Sequence, residues 1–196
     1  MVRTMIALLA STILVLSGFS AGEARAERVC DPVLRAELLE MMAEDQYEQS
    51  EDYTGPWHGP ERADRLREII ARHGWPTFRL VGRDGATAAW VIAQHSDHDP
   101  ASQERALALM KAAARAGQAD RIELAYLTDR VAVNHDRLQV YGTQVTCIGE
   151  ELGPRPLIDP EHVDRRRASV VLGPLQEYLD SFPDGICDLP PDEGDV

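Results

Sequence analysis

The chain has 196 residues, with 20 basic and 33 acidic side chains, a formal net charge of −13 and a sequence pI of about 4.8. Nucleic acids and anionic membranes are bound by basic surfaces, so this charge argues against both as partners. The length suits a single domain with its own hydrophobic core.

The first 26 residues have the layout of a secretory signal peptide. Arg3 supplies a positive start, an apolar run follows from Met5 to Leu16, and Ala24-Arg25-Ala26 has the small-x-small pattern of a cleavage site. The run is shorter than the ~20 apolar residues that cross a bilayer, so we expect cleavage, with an uncleaved anchor as the alternative. The sequence therefore predicts an exported protein, periplasmic or secreted, with no transmembrane segment after cleavage.

The first part of the mature chain has the pattern of consecutive helices. Asp31-Pro32 opens the first helix, because an acid at the N-cap and a proline at the first helical position are common starts. Gly74 and Gly117 end two later helices. Residues 78–81 are predicted to form a short apolar link, and residues 86–95 a buried central helix. The predicted helices cover about residues 31–48, 61–73, 86–95, 99–116 and 119–133.

The hydrophobic pattern changes after residue 133. Residues 138–148 alternate in hydropathy and residues 152–158 are extended, which indicates a small β-hairpin joined around Gly149. Two further helices are predicted, over about residues 159–171 and 173–182. The predicted fold class is all-α or α-rich, a single helical domain of about six or seven helices with one small β-hairpin inserted late.

The domain is predicted to span residues 27–182, followed by a flexible acidic tail over residues 183–196. Three cysteines lie in the mature chain: Cys30, Cys147 and Cys187. An oxidising compartment favours one disulfide among them and leaves one odd thiol, and all three pairings are open. Their spacings do not form a compact zinc motif.

Polar residues interrupt the apolar faces of four predicted helices. Leu38, Met41 and Asp45 follow the i, i+3, i+7 spacing, so Asp45 extends a buried stripe and Gln46 extends the next one. The other polar residues at inward positions are His95, Gln103 and Asp129. A buried carboxylate without partners costs several kcal/mol, so such groups are paired or functional. We predict a shared polar site between helix ends; the alternative is that each group satisfies its own helix end or loop.

The segment Gln139-x-Tyr141-Gly142-Thr143-Gln144 adds neutral polar groups beside Asp129, and Gly142 indicates a bulge or a close approach. A carboxylate at a helix end facing such a ribbon can act as a general acid. The predicted catalytic residues are Asp129, with His95 assisting. The predicted ligand-binding residues are Asp45, Gln46, Gln103, Gln139, Tyr141 and Gln144.

Residues 164–167 contain three consecutive arginines and are interpreted as a solvated face, with an arginine paired to buried Asp129 or Asp45 as the alternative. Residues 95–99 hold the densest set of possible metal ligands, but Asp99 is explained as an N-cap and no second ligand set stands out. No metal and no cofactor are therefore predicted. Nucleophile-elbow, phosphate-loop and dinucleotide motifs are absent from the sequence.

Several motifs together resemble a bacterial family defined only as a domain of unknown function. They are Gln94 to Pro100 with Gln103, Leu127 to Val131, Gln139 to Gln144, Asp45-Gln46, Gly74-Trp75-Pro76, and Asp164 to Arg167. The resemblance covers about residues 33–180 and supports the domain limits; it implies no activity. Ser96 stands where the family pattern has alanine. Gln49 stands where it has arginine, so the cationic partner that the family pattern implies for Asp45 is missing at this position.

The expected function is binding or hydrolysis of a small or glycan-like ligand of the cell envelope. A non-catalytic binding or interaction module, with a purely structural polar network, is the alternative. An aromatic content of 6% weighs against a sugar site, since such sites favour aromatic side chains.

Overall fold

The computed structural model describes residues 29–50 and 52–188, and the predicted signal peptide lies outside these residues. Seven α-helices lie within the described part: α1 (Pro32–Glu48), α2 (Gly59–His73), α3 (Phe78–Gln94), α4 (Pro100–Arg115), α5 (Arg121–Asn134), α6 (Val163–Ser169) and α7 (Leu175–Leu179). Between α5 and α6, strands β1 (Val145–Ile148) and β2 (Glu151–Pro154) pair antiparallel, with Val145 opposite Pro154. The predicted α-rich fold with one late hairpin is confirmed.

Aspartate caps set three of the helix starts. The carboxylate of Asp31 accepts from the Leu34 amide at 2.9 Å, and that of Asp99 accepts from the Ser102 amide at 3.1 Å. Asp120 accepts from Ile122 at 2.7 Å, so α5 begins after it. The Asp159-Pro160 pair repeats the Asp-Pro pattern at the start of the helix predicted over residues 159–171, but Asp159 does not act as a cap. It has a φ of 44° and makes no cap bond, so only a 3-10 turn, Pro160–His162, precedes α6.

Helix α3 begins earlier than the apolar pattern predicts. Thr77 caps it by accepting from the Leu80 amide at 3.3 Å, and residues 78–81 form its first turn. The helix kinks at Gly82, whose φ of 77° favours glycine. The predicted link is therefore wrong: it is a helical turn set at an angle to the rest of α3.

The central position of α3 organises the core. Helices α1, α2, α4 and α5 all pack against it, and Val81, Ala88 and Ala89 on it are completely buried. Its small side chains let neighbouring helices approach closely. The prediction of a buried central helix is confirmed, and its C-terminal end brings His95 to the end of α1.

A disulfide between Cys147 and Cys187 ties β1 to the C-terminal segment, and Cys30 is free and exposed. This selects one of the three pairings that the sequence left open. The bond holds the described start of the predicted tail, residues 183–188, against the hairpin. Among the described helices, none combines the length and hydropathy needed to cross a membrane.

Candidate functional site

The polar residues singled out from the sequence are distributed over two main hydrogen-bonded groups. One joins the C-terminal ends of α1 and α3 and contains Asp45, Gln46 and His95. The other surrounds the loop of residues 139–144 and contains Asp129, Gln139, Tyr141 and Gln144. Within the described residues no hydrogen bond joins His95 or Asp45 to Asp129.

Asp45 is the centre of the first group. Only 3% of the residue is exposed. Its Oδ2 atom lies 2.6 Å from Nδ1 of His95, and it accepts from the side-chain amides of Gln49 at 2.7 Å and Gln46 at 3.2 Å. Gln49 and Gln46 are thus neutral hydrogen-bond donors to this carboxylate.

His95 is held in one orientation by this contact. Because Oδ2 of Asp45 is an acceptor 2.6 Å away, Nδ1 carries the hydrogen, and the neutral ring offers Nε2 as a lone pair. The Gln49 amide nitrogen is 2.8 Å from Nδ1, but both nitrogens donate to the same carboxylate oxygen. The side chain is 18% exposed, so a buried carboxylate orients a solvent-accessible imidazole. This arrangement suits general acid–base chemistry.

Arg62 from α2 binds Asp45 from the other side. Its Nη2 donates to Oε2 of Glu48 at 2.7 Å and lies 3.5 Å from Oδ1 of Asp45. The residue is only 5% exposed. An ion pair therefore does form at Asp45, with an arginine that sequence reasoning missed. The signal was present, since Arg62, Leu66 and Ile69 share the i, i+4, i+7 spacing of a buried face.

Glu48 repeats the arrangement of Asp45 three residues along α1. It accepts from Nδ1 of His58 at 2.7 Å and from the His58 amide at 3.0 Å. Burial raises the pKa of the Glu48 carboxyl, but the hydrogen bonds from Arg62 and His58 outweigh it and lower the pKa to about 2. Two histidine–carboxylate pairs thus share one buried guanidinium. Sequence analysis did not identify this second pair.

A groove of about 550 Å³ runs between α1 and α2 beside the second pair. Glu44, Tyr47 and Glu48 line its α1 side, and Glu61 and Arg62 line its α2 side. Tyr53, from the loop between these helices, also lines the groove.

Three aromatic side chains occur within residues 47–57, and two of them, Tyr47 and Tyr53, line the groove. The rings of Tyr47 and Tyr53 meet edge to face with centroids 5.3 Å apart, and the Tyr47 residue is 60% exposed. The ring of Trp57, at 36% exposure, meets His98 with the same edge-to-face separation of 5.3 Å. The low aromatic content of the whole chain therefore conceals a local concentration within residues 47–57.

Asp129 is the centre of the second group and is completely buried. Its oxygens accept from the backbone amides of Val140 at 2.7 Å, Tyr141 at 3.1 Å and Thr143 at 3.0 Å, and from the Thr143 hydroxyl at 3.0 Å. Burial raises the pKa of Asp129, while these hydrogen bonds oppose the increase. All of these hydrogen bonds come from one loop, residues 140–143, which surrounds the carboxylate.

Two arginines of α6 hold the same loop by its carbonyls. Arg166 donates to Val140 at 2.7 Å and Arg167 donates to Tyr141 at 2.9 Å. Arg167 is 2% exposed, so it is not part of a solvated face. Its hydrogen bonds go to carbonyl oxygens and not to Asp129.

The remaining predicted site residues also bond to the protein itself. Gln139 donates to the carbonyls of Gln144 at 2.8 Å and Arg155 at 2.7 Å, and its own oxygen accepts from the Gln144 amide at 3.0 Å. Gly142 has a φ of 71°, and a Cβ there would lie 3.0 Å from the Leu175 side chain. The close approach expected at this glycine is thus made by α7.

Gln103 belongs to neither group; its side chain binds a carbonyl in the last turn of α3 and side chains beyond that turn. Its amide nitrogen donates to the Ala93 carbonyl at 3.0 Å and to Asp97 at 3.1 Å, and its oxygen accepts from Asn134 at 2.7 Å. No cluster of three or more metal-ligating side chains occurs within residues 29–50 and 52–188.

A family model with the description "Family of unknown function (DUF6624)" matches residues 54–187. This region contains His58, Arg62, His95 and the whole Asp129 group, whereas Asp45 and Glu48 lie before it. No curated protein and no solved structure matches the chain.

Proposed function

The chain belongs to this family of unknown function (DUF6624), and from its own site we propose that His95, oriented by Asp45, is the acid–base group of an exported hydrolase. The proposed substrate is a small, glycan-like ligand of the cell envelope that carries an acyl group. The observation that carries the proposal is the 2.6 Å contact between a buried carboxylate and a partly exposed imidazole.

The proposed reaction uses water as the nucleophile. Nε2 of His95 takes a proton from water as the water oxygen attacks the acyl carbon, and Asp45 stabilises the imidazolium through Nδ1–H. The bond from the acyl carbon to the leaving oxygen then breaks, and this oxygen takes the proton from Nε2. The products are a carboxylic acid and an alcohol, and the imidazole returns to its neutral form.

Acyl transfer suits this site better than glycosidic cleavage. A glycosidase needs two carboxyl groups across the scissile bond, one of them able to donate a proton. Glu48 does not fit that role, since its pKa is about 2 and it is bound to Arg62. We assign Asp129 a structural role, because four donors from one loop surround it.

Export is supported by two independent features. The N-terminal residues have the pattern of a signal peptide, and the disulfide between Cys147 and Cys187 is typical of an oxidising compartment. Both favour the periplasm or the extracellular space as the site of action.

The test is hydrolysis of chromogenic acetyl esters and of acetylated sugars by the purified protein. Wild type is expected to release acetate, and His95→Gln and Asp45→Asn are expected to reduce kcat/KM ~100-fold or more, the usual size of a lost general base. His162→Gln is the control, because His162 is exposed and, among the described residues, its imidazole is hydrogen-bonded only to Asp159 in its own turn. Equal activity in His95→Gln and wild type would refute the proposal.

A non-catalytic binding module is the second candidate. The accessible aromatic side chains of residues 47–57 favour it, because aromatic surfaces bind ligands without any chemistry. In that case wild type would bind acetylated sugars but release no acetate. His95→Gln would then change only the affinity for the sugar.

A further inference from the structure

We propose that the groove between α1 and α2 binds an uncharged, polyhydroxylated ligand, that is, a neutral sugar. The groove holds about 550 Å³, the size of a small-molecule site. Arg62 links it to the proposed acid–base centre, because this groove residue also lies 3.5 Å from Asp45. The inference therefore rests on the proposed function and deepens it. Binding can be measured without hydrolysis, so the two proposals can fail separately.

The first argument concerns Arg62. It lines the groove with 5% of its surface exposed, and its Nε and Nη1 atoms have no hydrogen-bond partner among the described residues. Buried donors of a charged group are normally paired. An oxygen acceptor entering the groove would provide the missing partner, whereas an ammonium group has no acceptor and would leave these donors unpaired.

The second argument concerns the carboxylates around the groove. They make an anionic ligand unfavourable as the oxygen acceptor that binds Arg62. Glu44, Glu48 and Glu61 line the groove, and Asp45 lies behind it on Arg62. The second arginine of the groove, Arg65, is paired with Glu37 at 2.5 Å and Glu68 at 2.6 Å. A negatively charged ligand would therefore meet more acidic than basic groups.

A neutral hydroxyl group satisfies both requirements. Its oxygen accepts from Arg62, and its hydrogen donates to an exposed carboxylate such as Glu44 or Glu61. The paired rings of Tyr47 and Tyr53 supply an accessible aromatic surface for the apolar face of a sugar ring. Few chemical classes combine these three features, and neutral sugars are among them.

The test is calorimetric titration of the purified protein with three trisaccharides of different charge. The probes are triacetylchitotriose (neutral), chitotriose (cationic) and trigalacturonic acid (anionic), with cellotriose as a second neutral probe. At least one neutral probe is expected to bind with a Kd of ~0.1–1 mM, as few anchoring contacts allow. The charged probes are expected to bind at least ~10-fold more weakly.

Two variants locate the binding. Tyr47→Ala removes an exposed ring without disturbing the core and is expected to weaken neutral binding ~10-fold. Arg62→Lys keeps the positive charge but loses the planar set of guanidinium N–H donors, so it is also expected to weaken neutral binding ~10-fold. Circular dichroism checks that this variant is folded. Ile148→Ala on β1, also exposed, is the control and is expected to bind as wild type does.

The inference is overturned if neither neutral probe binds at ~10 mM, a concentration well above the expected Kd. It is also overturned if a charged probe binds more tightly, or if Tyr47→Ala leaves the affinity unchanged. Binding without acetate release would support the groove and refute the hydrolase. Acetate release without binding of a neutral sugar in the groove would support the hydrolase and refute the proposed sugar site.

Discussion

Asp129 and Arg167 bind the same residue, Tyr141, at its two backbone groups. The Asp129 carboxylate accepts from the Tyr141 amide at 3.1 Å, and the Arg167 guanidinium donates to the Tyr141 carbonyl at 2.9 Å. The Tyr178 hydroxyl, 3.0 Å from the Thr143 carbonyl, adds a third contact to this loop. The backbone N–H and C=O groups of Val140, Tyr141 and Thr143, in a loop without regular structure, are thus all bound by side chains.

The variant Asp129→Asn is expected to lower the free energy of unfolding by ~2–4 kcal/mol. The amide nitrogen would face backbone N–H donors, which leaves buried groups unpaired. Urea denaturation measures the loss. Asp52→Asn, at an exposed loop position, is the control and should change stability little. An Asp129→Asn protein as stable as wild type would contradict the structural role of Asp129.

Arg167→Lys is expected to cost ~1–2 kcal/mol, because one ammonium group cannot replace both the bond to Tyr141 and the 2.6 Å bond to Gly173. Hydrogen exchange should become faster at the amides of Val140 and Tyr141. The neighbouring Arg165→Lys, exposed on α6, is the matched control. Unchanged exchange in Arg167→Lys would show that Asp129, Arg166 and Tyr178 hold the loop without Arg167.

The disulfide between Cys147 and Cys187 is expected to stabilise the protein by ~2–4 kcal/mol, since it closes a loop with a sequence separation of 40 residues. The double variant Cys147→Ser/Cys187→Ser should melt at a lower temperature than wild type and should not respond to reductant. Cys30→Ser should behave as wild type, because Cys30 is free. A wild-type melting temperature that does not respond to reductant would contradict this prediction.

Glu123 on α5 is expected to make stability depend on pH. Burial raises its pKa to about 7, from an ordinary 4.5, and nearby Asp120 adds to the increase, while a 2.5 Å hydrogen bond from Thr87 opposes it. The folded state therefore binds this proton more tightly than the unfolded chain does. The resulting stabilisation is complete below about pH 4.5 and is lost as the pH rises through about 7.

Glu123→Gln removes this ionisation and should be more stable than wild type by ~1–2 kcal/mol at about pH 8. At about pH 4 the difference should disappear or reverse. Thermal denaturation across this range measures the effect, with Glu40→Gln, exposed on α1, as the control. A stability difference that does not change with pH would show that the pKa of Glu123 is the same in the folded and unfolded states.

Features that depend on a few neighbouring residues were predictable from the sequence. The caps at Asp31 and Asp99, the late hairpin and the buried stripe containing Asp45 all follow from local spacing. The cap predicted at Asp159 does not form, because the backbone of this residue adopts a left-handed conformation. The Asp-Pro pattern alone does not reveal that conformation. The first turn of α3 was missed because Gly82 introduces a kink inside one helix.

The sequence by itself determined that Asp45, His95 and Asp129 lie at helix positions that call for partners, since burial of a polar group follows from helical periodicity. Only the tertiary structure decided which partners they have. Asp45 meets His95, 50 residues away, because α1 packs against α3; Asp129 instead meets the loop that follows its own helix. Periodicity acts over one or two turns, whereas these pairings depend on how whole helices pack.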